Sequence, residues 1–118
     1  MLKLNHKKLN VWQLAVDFVA DIYRATEKFP KMETYGITSQ MRRAAVSVPS
    51  NIAEGAARKS LIERKRFYEI ARSSLVELDT QFEISLKLKY CSIENTLALS
   101  EKMNHLFALI SQFIKKTN

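Results

Sequence analysis

Apolar side chains recur at three- and four-residue steps along nearly the whole chain, the spacing of a helix face. Four such segments stand out. The first predicts a helix over 10–28. Trp12, Ala15, Val16, Val19, Ile22 and Tyr23 form one apolar stripe, with Val11, Leu14, Phe18, Ala25 and Phe29 beside it. Together they are wider than a single seam needs, so this helix should meet more than one neighbour. Gln13, Asp17, Asp21, Arg24 and Lys28 form its wet face, acids early and bases late, as the helix dipole favours. Asn10 is the expected cap. Phe29-Pro30 should end the helix, because a residue before proline avoids helical dihedrals. Residues 30–36 read as the longest loop, with Phe29 and Tyr35 folded down over the bundle end.

The second helix should start at a Thr38 or Ser39 cap and end near Ala57. Ile37, Met41, Ala45, Val48, Ile52 and Ala56 form its apolar face. Gln40, Ala44, Ser47, Asn51, Glu54 and Arg58 form another, which is small, polar and uncharged in its middle. Pro49 lies inside the pattern and should kink the helix or leave a carbonyl unpaired. Ser47, Ser50 and Asn51 are near enough to satisfy freed backbone groups. The plain reading is a satisfied polar seam inside a bundle. The sharper one is a subunit or ligand contact at Arg43, Ser47, Asn51 and Glu54. Gly55 would cost an exposed helix about 1 kcal/mol relative to Ala, so it makes better sense where another backbone comes close.

Ser60-Leu61-Ile62-Glu63 is a capping box and opens a third helix expected to reach Lys89. Phe67, Ala71, Ser74, Leu78, Gln81, Ser85 and Leu88 alternate as a bundle seam, widened by Ile70, Leu75 and Phe82. Ser74, Gln81 and Ser85 suit close helix approach and a few cross-helix hydrogen bonds. Ser92 should cap a fourth helix carrying Leu99, Met103, Leu106, Ile110 and Phe113, with Lys115-Lys116 at its C-terminal dipole. Four helices with mostly short connections predict an all-α, antiparallel up-down-up-down four-helix bundle. It forms a single domain over 1–118, with 1–9 as a loose basic arm.

Composition agrees. Gly and Pro number two each, which disfavours a turn-rich β fold. At 118 residues and 47% hydrophobic content the chain can bury a core without staples. Cys91 is the single cysteine and fits a reducing, cytoplasmic setting. Gln13, Asp17 and Asp21 interrupt the N-terminal apolar run, so it reads as an amphipathic helix and not a signal peptide. Nothing approaches membrane-spanning length.

Several stretches in order resemble one family. The run Gln40-Met41-Arg42-Arg43-Ala44-Ala45-Val46-Ser47-Val48-Pro49-Ser50-Asn51-Ile52-Ala53-Glu54-Gly55 is similar to the signature of the 23S rRNA-intervening-sequence protein family. Val11-Trp12 with Ala15 resembles that family's opening helix. Phe29-Pro30, Glu33 and Tyr35-Gly36-Ile37-Thr38 resemble its first loop, and 70–78 its third helix, with a departure at Arg72. The resemblance implies an antiparallel four-helix bundle, a ring-shaped homopentamer and no established enzymatic activity. Some members of the family are encoded within insertions in large-subunit ribosomal RNA genes. A related group serves as accessory proteins to retroelement reverse transcriptases.

Chemistry of other kinds finds little footing. His6 and His105 lack ligand spacing, so no metal or cofactor is expected. Gly36 and Gly55 are the only glycines, so there is no phosphate loop. No arginine stands four to six residues before either histidine, which removes the pair typical of helical toxin ribonucleases. A Glu54–Glu77 carboxylate pair would need those two side chains to meet.

The positive signal is charge. Nineteen bases face twelve acids, giving +7 and a pI of about 9.7, a balance that favours polyanionic partners. Arg58, Lys59, Arg64, Lys65, Arg66 and Arg72 fall close together, with Tyr68 as the candidate base-stacker and Phe67 on the seam. The expectation is a non-enzymatic, oligomeric module that holds RNA or DNA through phosphate contacts. The alternative is a protein-interaction scaffold or accessory subunit to a polymerase or reverse transcriptase, without direct nucleic-acid binding. A small-molecule or catalytic bundle at Ser47, Asn51 or Glu54 comes third.

Overall fold

Each helix begins where the chain offers an acceptor or a break, although not always the expected one. The computed structural model describes residues 1–117; Asn118, the last residue of the expected domain, lies outside the described residues. Helices α1 (Asn10–Thr26), α2 (Ile37–Ala56), α3 (Leu61–Lys87) and α4 (Ile93–Lys116) form an all-α four-helix bundle, without a strand among the described residues. Ser60 Oγ accepts from the Glu63 N–H at 3.3 Å, and Ser92 Oγ from the Asn95 N–H at 3.1 Å, so both hydroxyl caps stand where expected. Asn10 does not cap α1. It is already helical, and Leu9 occupies the cap position with no side-chain bond. Thr38 and Ser39 likewise lie inside α2. There Gly36 is the cap residue, and the Glu33 carboxylate accepts from the Ile37 N–H at 3.3 Å.

The loop before α2 contains a 3-10 turn at Lys31–Glu33. Phe29 folds down as expected, with its ring centroid 5.6 Å from that of Tyr90. Tyr35 does not, and is 96% exposed. Tyr90 takes that place instead, donating its hydroxyl proton to Glu33 at 2.8 Å. The N-terminal arm is less loose than expected. A 3-10 turn at Asn5–Lys8 lies against α1 and α2, with the His6 ring edge-on to Trp12 at 5.1 Å.

The core draws one stripe from each helix. In α1 it is Val11, Ala15, Phe18, Ile22 and Thr26, taken from both expected stripes, which leaves Val16 and Tyr23 exposed at its edges. Met41, Ala44, Ala45, Val48 and Ile52 of α2 face Ala71, Leu75, Leu78 and Phe82 of α3, and Leu99, Leu106, Ile110 and Ile114 complete it from α4. The α2–α3 contact is the most extensive. Its small residues let the two backbones approach. Met41 meets Ser85, Ser47 meets Ser74 and Gly55 meets Tyr68, so position rises along α2 as it falls along α3. Helix α2 runs unbroken through Pro49, which is buried. A Cβ at Gly55 would lie 3.1 Å from the Arg64 carbonyl oxygen and 2.6 Å from a Tyr68 ring carbon. The expected close backbone is therefore present.

Candidate nucleic-acid interface

The polar seam of α2 is a closed hydrogen-bond set. The Asn51 amide donates to the Ser47 carbonyl and hydroxyl oxygens, each at 2.8 Å. Ser74 Oγ of α3 lies 2.8 Å from Ser47 Oγ and 3.1 Å from the Ile70 carbonyl. Further along, Ser85 reaches Met41 Sδ at 3.6 Å, while Gln81 Oε1 and Thr38 Oγ1 are buried without a partner among the described residues. Arg43 and Glu54 stand outside this set. Arg43 approaches Ser39 Oγ at 3.5 Å, and Glu54 accepts from Arg58 at 3.2 Å on the surface. Glu54 and Glu77 line different clefts, so the structure does not assemble that carboxylate pair.

The cations are organised by the ends of helices. One cleft is lined by the N-terminal segment, the start of α1, the end of α2, the start of α3 and the end of α4. These segments therefore share one end of the bundle. Residues 1–17, 50–69 and 109–117 carry ten of the nineteen cations and four of the twelve acids. Six of the seven net positive charges thus sit at one end. Within it, the Arg58 guanidinium lies 4.8 Å above the Phe67 ring, and Arg64 Nε donates to the Arg58 carbonyl across the α2–α3 junction. Lys59 and Arg66 are exposed, with no ion pair among the described residues. Lys65 is half-buried beside them.

Arg72 stands at the edge of this group. It lies about two turns further along α3, donates to Ser111 Oγ at 3.2 Å and stands 5.9 Å from the Phe107 ring on the α4 side. Lys3, Lys7, Lys8, Lys115 and Lys116 do join it, although the sequence reading did not connect them. Their distance along the chain hides this. The available signal was that an up-down chain returns its N-terminus and its fourth helix end to the α2–α3 junction.

The aromatic assignment is reversed. Tyr68, expected as an exposed stacker, is only 4% exposed, while Phe67, expected on the seam, is half-exposed beneath Arg58. Residues 68, 71, 75, 78 and 82 line the core, so the stripe starts one residue later than the regular alternation suggests. Gly55 opens the space that the Tyr68 ring fills, and Phe113 meets that ring edge-on at 4.7 Å. Burial pushes the Tyr68 phenol pKa up, and the nearby Arg64 charge offsets this in part.

Fold and charge together define a basic four-helix-bundle protein with its positive charge gathered at one end. Residues 7–112 match the model of the 23S rRNA-intervening sequence protein family, and the chain belongs to that family. No curated protein matches the chain. Among the described residues, no helix is long and apolar enough to cross a membrane.

Proposed function

We propose that the protein is a non-enzymatic nucleic-acid-binding module, an antiparallel up-down-up-down bundle that assembles into a homopentameric ring and holds RNA or DNA by its phosphates. The family's association with ribosomal RNA supports an RNA-linked role. The observation that carries the reading is the collection of six net positive charges at one bundle end, drawn from three separate chain segments. Lys59 and Arg66 are the leading phosphate contacts, since both are exposed and neither is paired among the described residues. Arg58, Arg64 and Lys65 reinforce the field, and Arg64 also ties the α2–α3 junction through the Arg58 carbonyl. Arg72 is a lateral contribution. Such a surface positions a backbone without reading bases.

Self-association draws support from exposed apolar side chains along α3. Ile62 is 77% exposed, Leu61 56% and Val76 55%. The same side chains favour the second reading, a scaffold that docks a polymerase-type protein. The test is binding of a structured RNA across a salt series. The first reading expects log affinity to fall linearly with log salt, and Lys59→Glu with Arg66→Glu to weaken binding and flatten the slope by about two ions. Salt-independent binding, or none at low salt, would sink it. A variant that keeps RNA binding but loses a protein partner would favour the scaffold.

A further inference from the structure

The cleft at the basic end holds a feature that phosphate contact along a surface does not use. It is an open cleft of about 890 Å³, and its lining is mostly apolar, with contributions from Leu9, Val11, Ala56 and Leu109. The half-buried rings of His6 and Phe113 also line it. Arg64 and Lys116 bring two cations to the same cleft, against one acid, Glu54, which is already paired to Arg58 at 3.2 Å. Tyr68 lines it as well. The residue is 96% buried, yet its hydroxyl makes no hydrogen bond among the described residues and is not among the fully enclosed polar atoms. A buried phenol normally finds a partner. Tyr68 and Arg64 both line the cleft, and the Arg64 charge acts on the phenol.

We propose that this cleft receives one unpaired nucleotide, its base against the Phe113 and His6 rings and its phosphate at Arg64, Lys116 and the Tyr68 hydroxyl. This rests on the nucleic-acid reading above and narrows it. A nucleotide joins an aromatic face to an anion, and the cleft joins an apolar, ring-lined hollow to two cations and a free donor. A base inside a duplex keeps its faces stacked on its neighbours and cannot enter. Only a single strand, a loop or a bulge presents the required group.

The experiment compares a short uridine oligonucleotide with a blunt RNA duplex of equal length, at low salt, by fluorescence anisotropy. Tyr68→Phe removes the hydroxyl and keeps the ring, so melting temperature should be unchanged. Affinity for the single strand should fall about tenfold, the scale of a lost hydrogen bond to a charged group, with duplex binding untouched. Ala57→Leu, at an exposed position on the cleft wall, should produce the same selective loss by filling space. If both variants bind the oligonucleotide as the parent does, while parental binding remains salt-dependent, the nucleotide site is refuted and the phosphate-binding reading stands. If the parent binds neither nucleic acid, both fall. If the duplex weakens as much as the single strand, the cleft is only part of the general basic surface and the proposal is overturned.

Discussion

Replacing Gly55 by Ala sets two effects of opposite sign against each other. In an exposed helix the change would stabilise by about 1 kcal/mol, because Ala loses less backbone freedom. At this position the new methyl would meet the Tyr68 ring at 2.6 and 2.9 Å and the Arg64 carbonyl oxygen at 3.1 Å. The first two distances require something to move. The Tyr68 ring is not a flexible side-chain tip: it is wedged against Phe113 and 4% exposed. The Arg64 carbonyl belongs to the first turns of α3 and moves only with the helix. Overpacking of this kind costs about 1–3 kcal/mol. A contact this short falls in the upper half of that range, so the net expectation is a loss of about 1–2 kcal/mol.

For a chain of this length, such a loss lowers the melting temperature by roughly 4–10 °C. Thermal denaturation followed by circular dichroism reads this directly, with parent and variant at the same protomer concentration because assembly shifts apparent stability. Tyr68→Ala in the Gly55→Ala background supplies the internal check. With the ring gone, the alanine at 55 should cost less than it does in the parent, giving a coupling energy between the two sites. A Gly55→Ala protein that melts above the parent would refute the reasoning, since it would show that α2 and α3 do not approach as closely as the geometry requires.

Two further expectations concern the seam and the surface. Ser74→Ala removes the cross-helix contact to Ser47 and should cost about 1 kcal/mol by urea denaturation, while Ser47→Ala in the same background should add only the loss of the Asn51 contact to its hydroxyl. Asp21 is pulled upward in pKa by partial burial, but hydrogen bonds from Lys102 at 2.5 Å and Arg24 at 2.6 Å outweigh this and hold it below the ordinary 3.8. Its contribution is therefore present above that value and lost as pH falls through the folded-state pKa. Asp21→Asn should cost less than about 1 kcal/mol at neutral pH, since both cationic partners are more than half exposed and screened. The difference from the parent should shrink in high salt and vanish in acid; a difference that persists there would show the effect is not electrostatic.

How much of this was legible in the sequence depended on whether the signal was local. Ser60 and Ser92 cap their helices because a hydroxyl needs only a backbone N–H three residues ahead, a relation contained within one turn. The cap of α2 was misread because Thr38 is drawn into the core, leaving its hydroxyl unpaired, while Glu33 reaches forward from the preceding turn. Both depend on tertiary placement. The order of Phe67 and Tyr68 was undecidable from spacing, since either residue fits a three-four alternation with Ala71 and Leu78. Only the vacancy at Gly55, seen from the opposite helix, selects Tyr68. The glycine itself was readable as a close approach, but not which side chain would fill the space. The basic cluster was half legible. Its α2–α3 portion is contiguous, whereas Lys7, Lys115 and Lys116 reach it only once the helices are folded back on one another.

The same charge placement constrains which assemblies could use it. The protomer is 44 Å in its longest dimension, several times the screening length of about 8 Å at physiological salt. Two bundles related by a two-fold axis across their length would put their basic ends at opposite poles, where the fields cannot add. In a cyclic ring whose axis follows the bundles, every basic end faces the same way and neighbouring fields overlap at the rim. The proposed ring and the proposed phosphate binding are therefore physically coupled. A ring should show a salt slope far steeper than one end alone can supply, because several weak patches engage one polyanion together. Solution mass and salt slope measured on the same preparation test the coupling: a steep slope from a species no larger than a two-fold pair would break it.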